Sequence, residues 1–337
     1  MRAAVLRAPG QLGLEHLEQP KAAPGEALVR VAYSGICGTD LGIYSGNMPV
    51  RHPLIMGHEL AGNVVEGGGD AFPDGARVIV DPSLFCGICF YCRAGLTNLC
   101  QRGGLIGREM NGGFAEFVVV PRAQLFALPD TIDLKDAPLL QVLTTCVHAH
   151  RLVDLFPGQS VVITGLGVTG QLHVQLAKAR GAHPVIGISR SSWKRNLART
   201  LGADITLSSG NDTTRQILDA TEGRGADLVI ECTGKTVVIA ESVAMVRPGG
   251  TILLFGTATA TKSELSFYQM YKKELKVVNT RAAKGEDFPA SIELVASGAV
   301  KMDSLITHRL PLADLDEAMR MVESDGDQRM KIILENS

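Results

Sequence analysis

The sequence predicts an α/β protein, with a β-rich first third followed by a doubly wound parallel sheet. Two textures and one loop predict it. Up to about residue 136 the chain alternates short β-branched runs with Gly and Pro turns. Beyond that point strands alternate with helices of roughly 10–15 residues, which indicates βαβ units and helices on both faces of a parallel sheet. At one strand-to-helix junction of that series stand Gly165, Gly167 and Gly170, spaced Gly-x-Gly-x-x-Gly.

In order, the runs ALVRVAYS, LAGNVVE, ARVIV and GFAEFVVV read as strands of the first part. LKDAPLLQVLTTCVHAHRLV has helical apolar spacing, with Asp133 or Asp136 available near its start. The following series predicts strands at 160–165, 184–189, 226–231, 250–256 and 276–279. TGQLHVQLAKARG and SWKRNLARTLG read as two of the intervening helices. After residue 283 come two further helical segments and a terminal strand, MKIILE. A chain of 337 residues with 45% hydrophobic content is long for one core and suits two domains.

A net charge of -2 with scattered Lys and Arg leaves no electrostatic footprint for nucleic acid. No apolar run approaches the ~20 residues of a bilayer span, and MRAAVLRAPGQLGLEHLEQP lacks the features of a signal peptide. A cytoplasmic protein is expected. Of seven cysteines, Cys86, Cys89, Cys92 and Cys100 crowd one short segment, which in a reducing compartment favours a metal over disulfides.

The glycine loop follows an apolar strand and opens a helix, the context in which Gly165 makes the turn, Gly167 admits a pyrophosphate and Gly170 permits close packing. With Val168 and Thr169 between them, the helix N-terminus offers free N–H groups to the anion. The bland reading is a glycine-rich turn without a ligand. The next strand should end in a carboxylate that grips the ribose of NAD, and Ser189 stands there instead. A hydroxyl removes the repulsion of a 2′-phosphate, and Arg190 offers a planar fork of donors. Lys194 and Arg195 follow on the next helix. NADP(H) is therefore expected over NAD(H), the opposing reading being a solvated helix start with Asp204 serving NAD.

Four thiolates at 86, 89, 92 and 100 can close a tetrahedral structural zinc site. An iron–sulfur cluster and a zinc-ribbon nucleic-acid module are the competing readings. SGICGTD supplies Cys37, Thr39 and Asp40, and MGHELAG supplies His58 and Glu59. Each fragment alone is unremarkable, but Cys37, His58 and a neighbouring carboxylate make part of an open, catalytic zinc site.

GICGTD, GHELAG, the four-cysteine segment and the glycine loop, in this order, resemble the medium-chain zinc-dependent alcohol dehydrogenases, nearest to the sorbitol, threonine and glucose dehydrogenases. The resemblance implies a GroES-like catalytic domain from residues 1–147 and 283–337, and a Rossmann domain over 148–282. It implies one catalytic and one structural zinc, and hydride exchange between a nicotinamide cofactor and an alcohol or polyol or its carbonyl. Cys37 and His58 are the fixed ligands it implies. Gln141 stands where relatives of the sorbitol type carry glutamate, with His148 matching a nearby histidine, so Glu59 and Gln141 compete for the third place. Thr39 would take part in removing the substrate proton, and Gly42 occupies the place of a relay histidine. Glu109 and Arg281 are candidates for substrate contacts. The strand GGTILLFG is expected to seek a partner subunit, giving a homodimer or homotetramer. The alternatives are an NAD-dependent polyol or sugar dehydrogenase of the same fold and a non-catalytic protein that binds nucleotide and zinc.

Overall fold

Two units share the chain in the computed structural model, which describes residues 1–260, 262–324 and 328–336. Unit 1 comprises Met1–Thr144, Ala282–Ser297 and Met302–Ser337, and unit 2 comprises Thr145–Arg281 and Gly298–Lys301. Unit 1 begins with β1 (Arg2–Ala8), β2 (Gln11–His16), β3 (Glu26–Gly35), α1 (Gly38–Tyr44), β4 (Leu54–Ile55), β5 (Glu59–Glu66) and β6 (Arg77–Val80). It continues with β7 (Ser83–Leu84), α2 (Phe90–Arg93), β8 (Gly104–Leu105), β9 (Phe117–Pro121) and β10 (Leu125–Ala127). The boundary with unit 2 falls within α3 (Leu139–Arg151).

Unit 2 alternates as β11 (Val161–Thr164), α4 (Val168–Ala179), β12 (Val185–Ile188), α5 (Ser192–Thr200), β13 (Ile205–Leu207) and α6 (Thr213–Ala220). Then follow β14 (Ala226–Glu231), α7 (Thr236–Met245), β15 (Val246–Leu254), α8 (Phe267–Lys272) and β16 (Lys276–Asn279). The chain returns to unit 1 with α9 (Phe288–Ala296), β17 (Ile306–Pro311), α10 (Leu315–Glu323) and β18 (Lys331–Glu335).

In unit 1 the main sheet runs β10-β6-β5-β3-β18-β17, with β9 also on β3. The terminal strand β18 pairs antiparallel with β3, setting Ile333 against Gly35 and Leu334 against Ser34. This register carries residues from the end of the chain to the Gly35–Cys37 corner.

In unit 2 all six strands are parallel, in the order β13-β12-β11-β14-β15-β16, as in a Rossmann fold. Successive residues point to opposite faces: Val161 and Ile163 join one apolar cluster, and Val162 joins the other. All three are fully buried. Both faces are covered, which is why these strands read as continuous apolar runs rather than alternating ones. The same burial corrects one expectation. The apolar strand of residues 250–256 belongs to β15, which has β14 on one side and β16 on the other. On that side the sheet edge is β16.

Candidate active site

Cys37 ends the approach to α1 in extended backbone, with φ -114 and ψ 160. Its N–H donates to Oδ2 of Asp40 at 2.8 Å, which fixes the helix start and the direction of the thiol. The other carboxylate oxygen of Asp40 lies 3.4 Å from Nδ1 of His58. Asp40 is fully buried, so one side chain sets both Cys37 and the imidazole. Glu59 opens β5 opposite Gly35. A Cβ on Gly35 would lie 2.1 Å from Oε2 of Glu59, so only glycine leaves room for that carboxylate. Lys331 of β18, also buried, pairs with Oε2 of Glu59 and donates to the Ile36 carbonyl at 2.8 Å.

One ligand atom each of Cys37, His58 and Glu59 lie within 4.8 Å of one another. Burial alone would raise the Cys37 thiol, yet His58, by hydrogen bond and charge, draws it below its ordinary range. Burial also opposes the His58 cation, but the charge and hydrogen bond of Asp40 lift it well above its ordinary value. Glu59 Oε1 is buried with no hydrogen bond among the described residues. A soft sulfur, an imidazole and an unsatisfied carboxylate oxygen converging in a buried corner are a donor set that suits zinc. The Thr39 hydroxyl lies 3.8 Å from the Cys37 sulfur. Gln141 sits half-buried in the first turn of α3.

Cys86, Cys89, Cys92 and Cys100 form a second cluster, again with ligand atoms within 4.8 Å. Their sulfurs stand 3.5 Å apart for Cys89–Cys92, 3.5 Å for Cys86–Cys100 and 3.9 Å for Cys89–Cys100. A tetrahedron with Zn–S bonds near 2.3 Å has edges of about 3.8 Å, so these thiols already sit at its corners. They are not disulfides. N–H groups of Ile88 and Cys89 draw Cys86 down to about 6, toward the thiolate a metal requires. Phe85, Ile88 and Phe90 are 40%, 61% and 75% exposed, so the segment has little apolar core of its own.

In unit 2 a cavity of about 720 Å³ opens at the carboxyl ends of β11, β12 and β14. Gly165, Gly167, Ser189, Arg190, Lys194 and Asn211 line it. Gly165 has φ +89, a Cβ on Gly167 would meet nothing within 4 Å, and one on Gly170 would lie 1.9 Å from the Gly165 carbonyl. The three glycines thus meet a turn, an open approach and a tight packing contact, respectively. Val168 and Thr169 open α4. The Ser189 hydroxyl accepts from the Ser191 N–H at 3.3 Å, leaving its own hydrogen to donate. Arg195 is not among the lining residues. Its Nη1 donates to the carbonyls of Ser189 at 2.6 Å and Arg190 at 2.8 Å.

Asp204 lies at the opposite end of the sheet, accepting from the Val185 N–H that begins β12 and from Lys178. It does not line the cavity. Glu109 accepts from the Leu105 N–H at 2.6 Å and from Arg108 at 2.7 Å, a structural engagement. Arg281 is exposed. Asp40 and Lys331 are the site residues that sequence reasoning did not assign. The capping position of Asp40 was readable, whereas Lys331 carries no local signal.

An open cluster with donors suited to zinc, a closed thiol cluster and a dinucleotide-type cavity define a zinc-binding oxidoreductase. The alcohol dehydrogenase GroES-like domain matches residues 23–130, and the zinc-binding dehydrogenase domain matches residues 168–297. L-threonine 3-dehydrogenase of Pyrococcus furiosus is 33% identical over 343 residues, covering 98% of each chain. Sorbitol dehydrogenase of Halalkalibacterium halodurans is 30% identical over 324 residues, 94% of each chain. A zinc-binding dehydrogenase of Sinorhizobium meliloti, described as putative and solved bound to NADP, superposes with a TM-score of 0.93 at 32% identity, covering 99% of this chain and 98% of that one. The chain belongs to the zinc-dependent medium-chain dehydrogenases and is an oxidoreductase acting on CH–OH groups. Among the described residues no helix is long and apolar enough to cross a membrane.

Proposed function

We propose that the protein transfers a hydride between NADP(H) and a small alcohol or polyol, or the corresponding carbonyl compound. The observation that carries the cofactor preference is the cavity wall at the end of β12. Ser189 and Arg190 stand there in place of a carboxylate. A second feature supports it. Lys194 and Arg195 occupy the first turn of α5, which contains no acidic residue of its own and where the helix dipole disfavours cations. A bound 2′-phosphate would relieve that conflict. Val168 and Thr169, with the glycines, present the α4 N-terminus to the diphosphate.

In this reading Cys37 and His58 hold the catalytic zinc, and Asp40 orients the imidazole from behind. Glu59 and Gln141 remain the two candidates for a third ligand. Lys331 holds the Glu59 carboxylate by an ion pair and sets how readily it turns to a metal. Zinc held there supplies Lewis-acid polarisation of the substrate oxygen. The Thr39 hydroxyl would take part in removing the substrate proton, accepting it at Oγ1 as it passes its own proton on to water. The second zinc, on the four cysteines, holds their segment folded. The catalytic domain would span residues 1–147 and 283–337, and the cofactor domain 148–282.

We further propose a homo-oligomer joined at the β16 edge. Its backbone is open on one side, Val277 is 40% exposed, and Phe267, Tyr268 and Tyr271 of α8 are 69–82% exposed nearby in sequence. Light scattering should show Tyr271→Glu smaller than the wild type.

The test of function is a panel of polyols, simple alcohols and carbonyl compounds assayed with both cofactors. Wild type should favour NADP(H) in kcat/KM, and Ser189→Asp with Arg190→Ala should reverse the preference. A wild type that favours NAD(H) overturns the cofactor reading.

A further inference from the structure

We propose that Arg195 selects the cofactor from behind the site, as a positioning residue that fixes the backbone carrying Ser189 and Arg190. The inference rests on the NADP(H) reading above. Spacing alone makes Arg195 a third cation for the phosphate, but it does not line the cavity and its guanidinium is engaged with the backbone. One nitrogen, Nη1, donates to two consecutive carbonyls, Ser189 at 2.6 Å and Arg190 at 2.8 Å. Two adjacent peptide planes held by one planar cation leave little rotation at Arg190, and so set where its side chain leaves the chain.

That matters because Arg190 is exposed, and among the described residues its guanidinium has no hydrogen bond or ion pair to aim it. The neighbouring contacts belong to the same scaffold. The Ser191 N–H donates to the Ser189 hydroxyl, and the Ser191 hydroxyl caps α5 by accepting from Lys194 N–H. Fully buried Gln171 donates to the carbonyls of Lys194 at 2.8 Å and Leu166 at 3.3 Å, tying the first turn of α5 to the glycine loop. Arg195 completes this frame through the Ser189 and Arg190 carbonyls without lining the cavity.

The experiment compares wild type, Arg190→Ala, Arg195→Ala, Arg195→Lys and the Arg190→Ala/Arg195→Ala double variant. The readouts are kcat/KM with NADP+ and NAD+, and calorimetric affinity for 2′,5′-ADP and 5′-ADP. Arg195→Ala should lower kcat/KM for NADP+ about tenfold through KM, a coupling typical of contacting residues. NAD+ and 5′-ADP should change less than about twofold. Both bonds come from one nitrogen, and a lysine ammonium also carries several N–H donors on one nitrogen, so Arg195→Lys should recover part of the NADP+ preference lost in Arg195→Ala. The double variant should discriminate no worse than Arg190→Ala. Additive losses in the double variant would mean a direct charge contact and overturn the inference. Equal losses for both cofactors would reduce Arg195 to a general structural role and overturn it too. If Arg190→Ala leaves the NADP+ to NAD+ ratio unchanged, the NADP(H) reading itself falls, and this inference with it.

Discussion

The two clusters of unit 1 that bring together donors suited to a metal do so by opposite means. The four-cysteine cluster comes from one short segment whose turns bring the sulfurs together, with almost no apolar burial to help. The Cys37–His58–Glu59 cluster is assembled by a sheet. A helix cap, the first residues of β5 and a lysine from the terminal strand meet in a buried corner. The first should depend on its metal for its fold. The second should keep its fold without metal and lose only chemistry.

The largest effects test that division directly. Cys37→Ala should lower turnover by roughly 10³-fold, the several kcal/mol that Lewis-acid polarisation supplies, with circular dichroism unchanged. Metal analysis should then fall from two zinc ions per chain to one. Cys89→Ala should do the reverse, lowering the melting temperature and solubility, because structural zinc contributes folding free energy outright. Unfolding in Cys37→Ala together with a well-folded Cys89→Ala would break the contrast.

Lys331→Met comes next. It strands a buried carboxylate, which typically costs about 3–5 kcal/mol. Zinc can replace the lost cation if Glu59 turns to it, so thermal unfolding should show a larger zinc-induced rise in the variant than in the wild type. An equal rise in both would show that Glu59 stays off the metal. Asp40→Asn is smaller. Losing the charged partner of His58 should weaken zinc affinity about 10–100-fold in competition with a chelator, while the four-cysteine site keeps its affinity.

The same contrast explains what the sequence revealed. Signals carried within one segment were readable: the cysteine spacing, the glycine loop, and β14 and β16 at the limits the sequence predicted. Signals that require the fold were not. Lys331 is a single lysine in an apolar strand, and only the pairing of β18 with β3 brings it to Glu59. The apolar run of β15 reports burial on two faces, which does not distinguish an inner strand from an edge. β13, only Ile205–Leu207, is too short for a periodic pattern. The β-branched start of α7, Thr236–Val238, reads against the helix it begins. For Arg195, the sequence gives the charge, and only the structure gives the two carbonyls it binds.

Histidines extend the comparison to unit 2. His58 is lifted by a carboxylate, whereas buried His150 and His173 meet each other, Nε2 to Nδ1 at 3.0 Å, with His173 also packed edge-on against Phe255. Burial holds His150 well below its ordinary value and His173 down at about 3. A histidine depressed in the folded state contributes stability that is present above its unfolded pKa of about 6.5 and lost as the pH falls below it. Between pH 7 and 5 His173 alone should remove about 2 kcal/mol, with His150 adding to the loss. Asp81 acts oppositely. Burial raises it to about 6, so it stabilises the protein on acidification through that same window, by about 1 kcal/mol. Urea unfolding should therefore show lower stability at pH 5 than at pH 7, and Asp81→Asn should steepen the decline. A wild type more stable at pH 5 would mean that the histidine pair takes up its protons without unfolding.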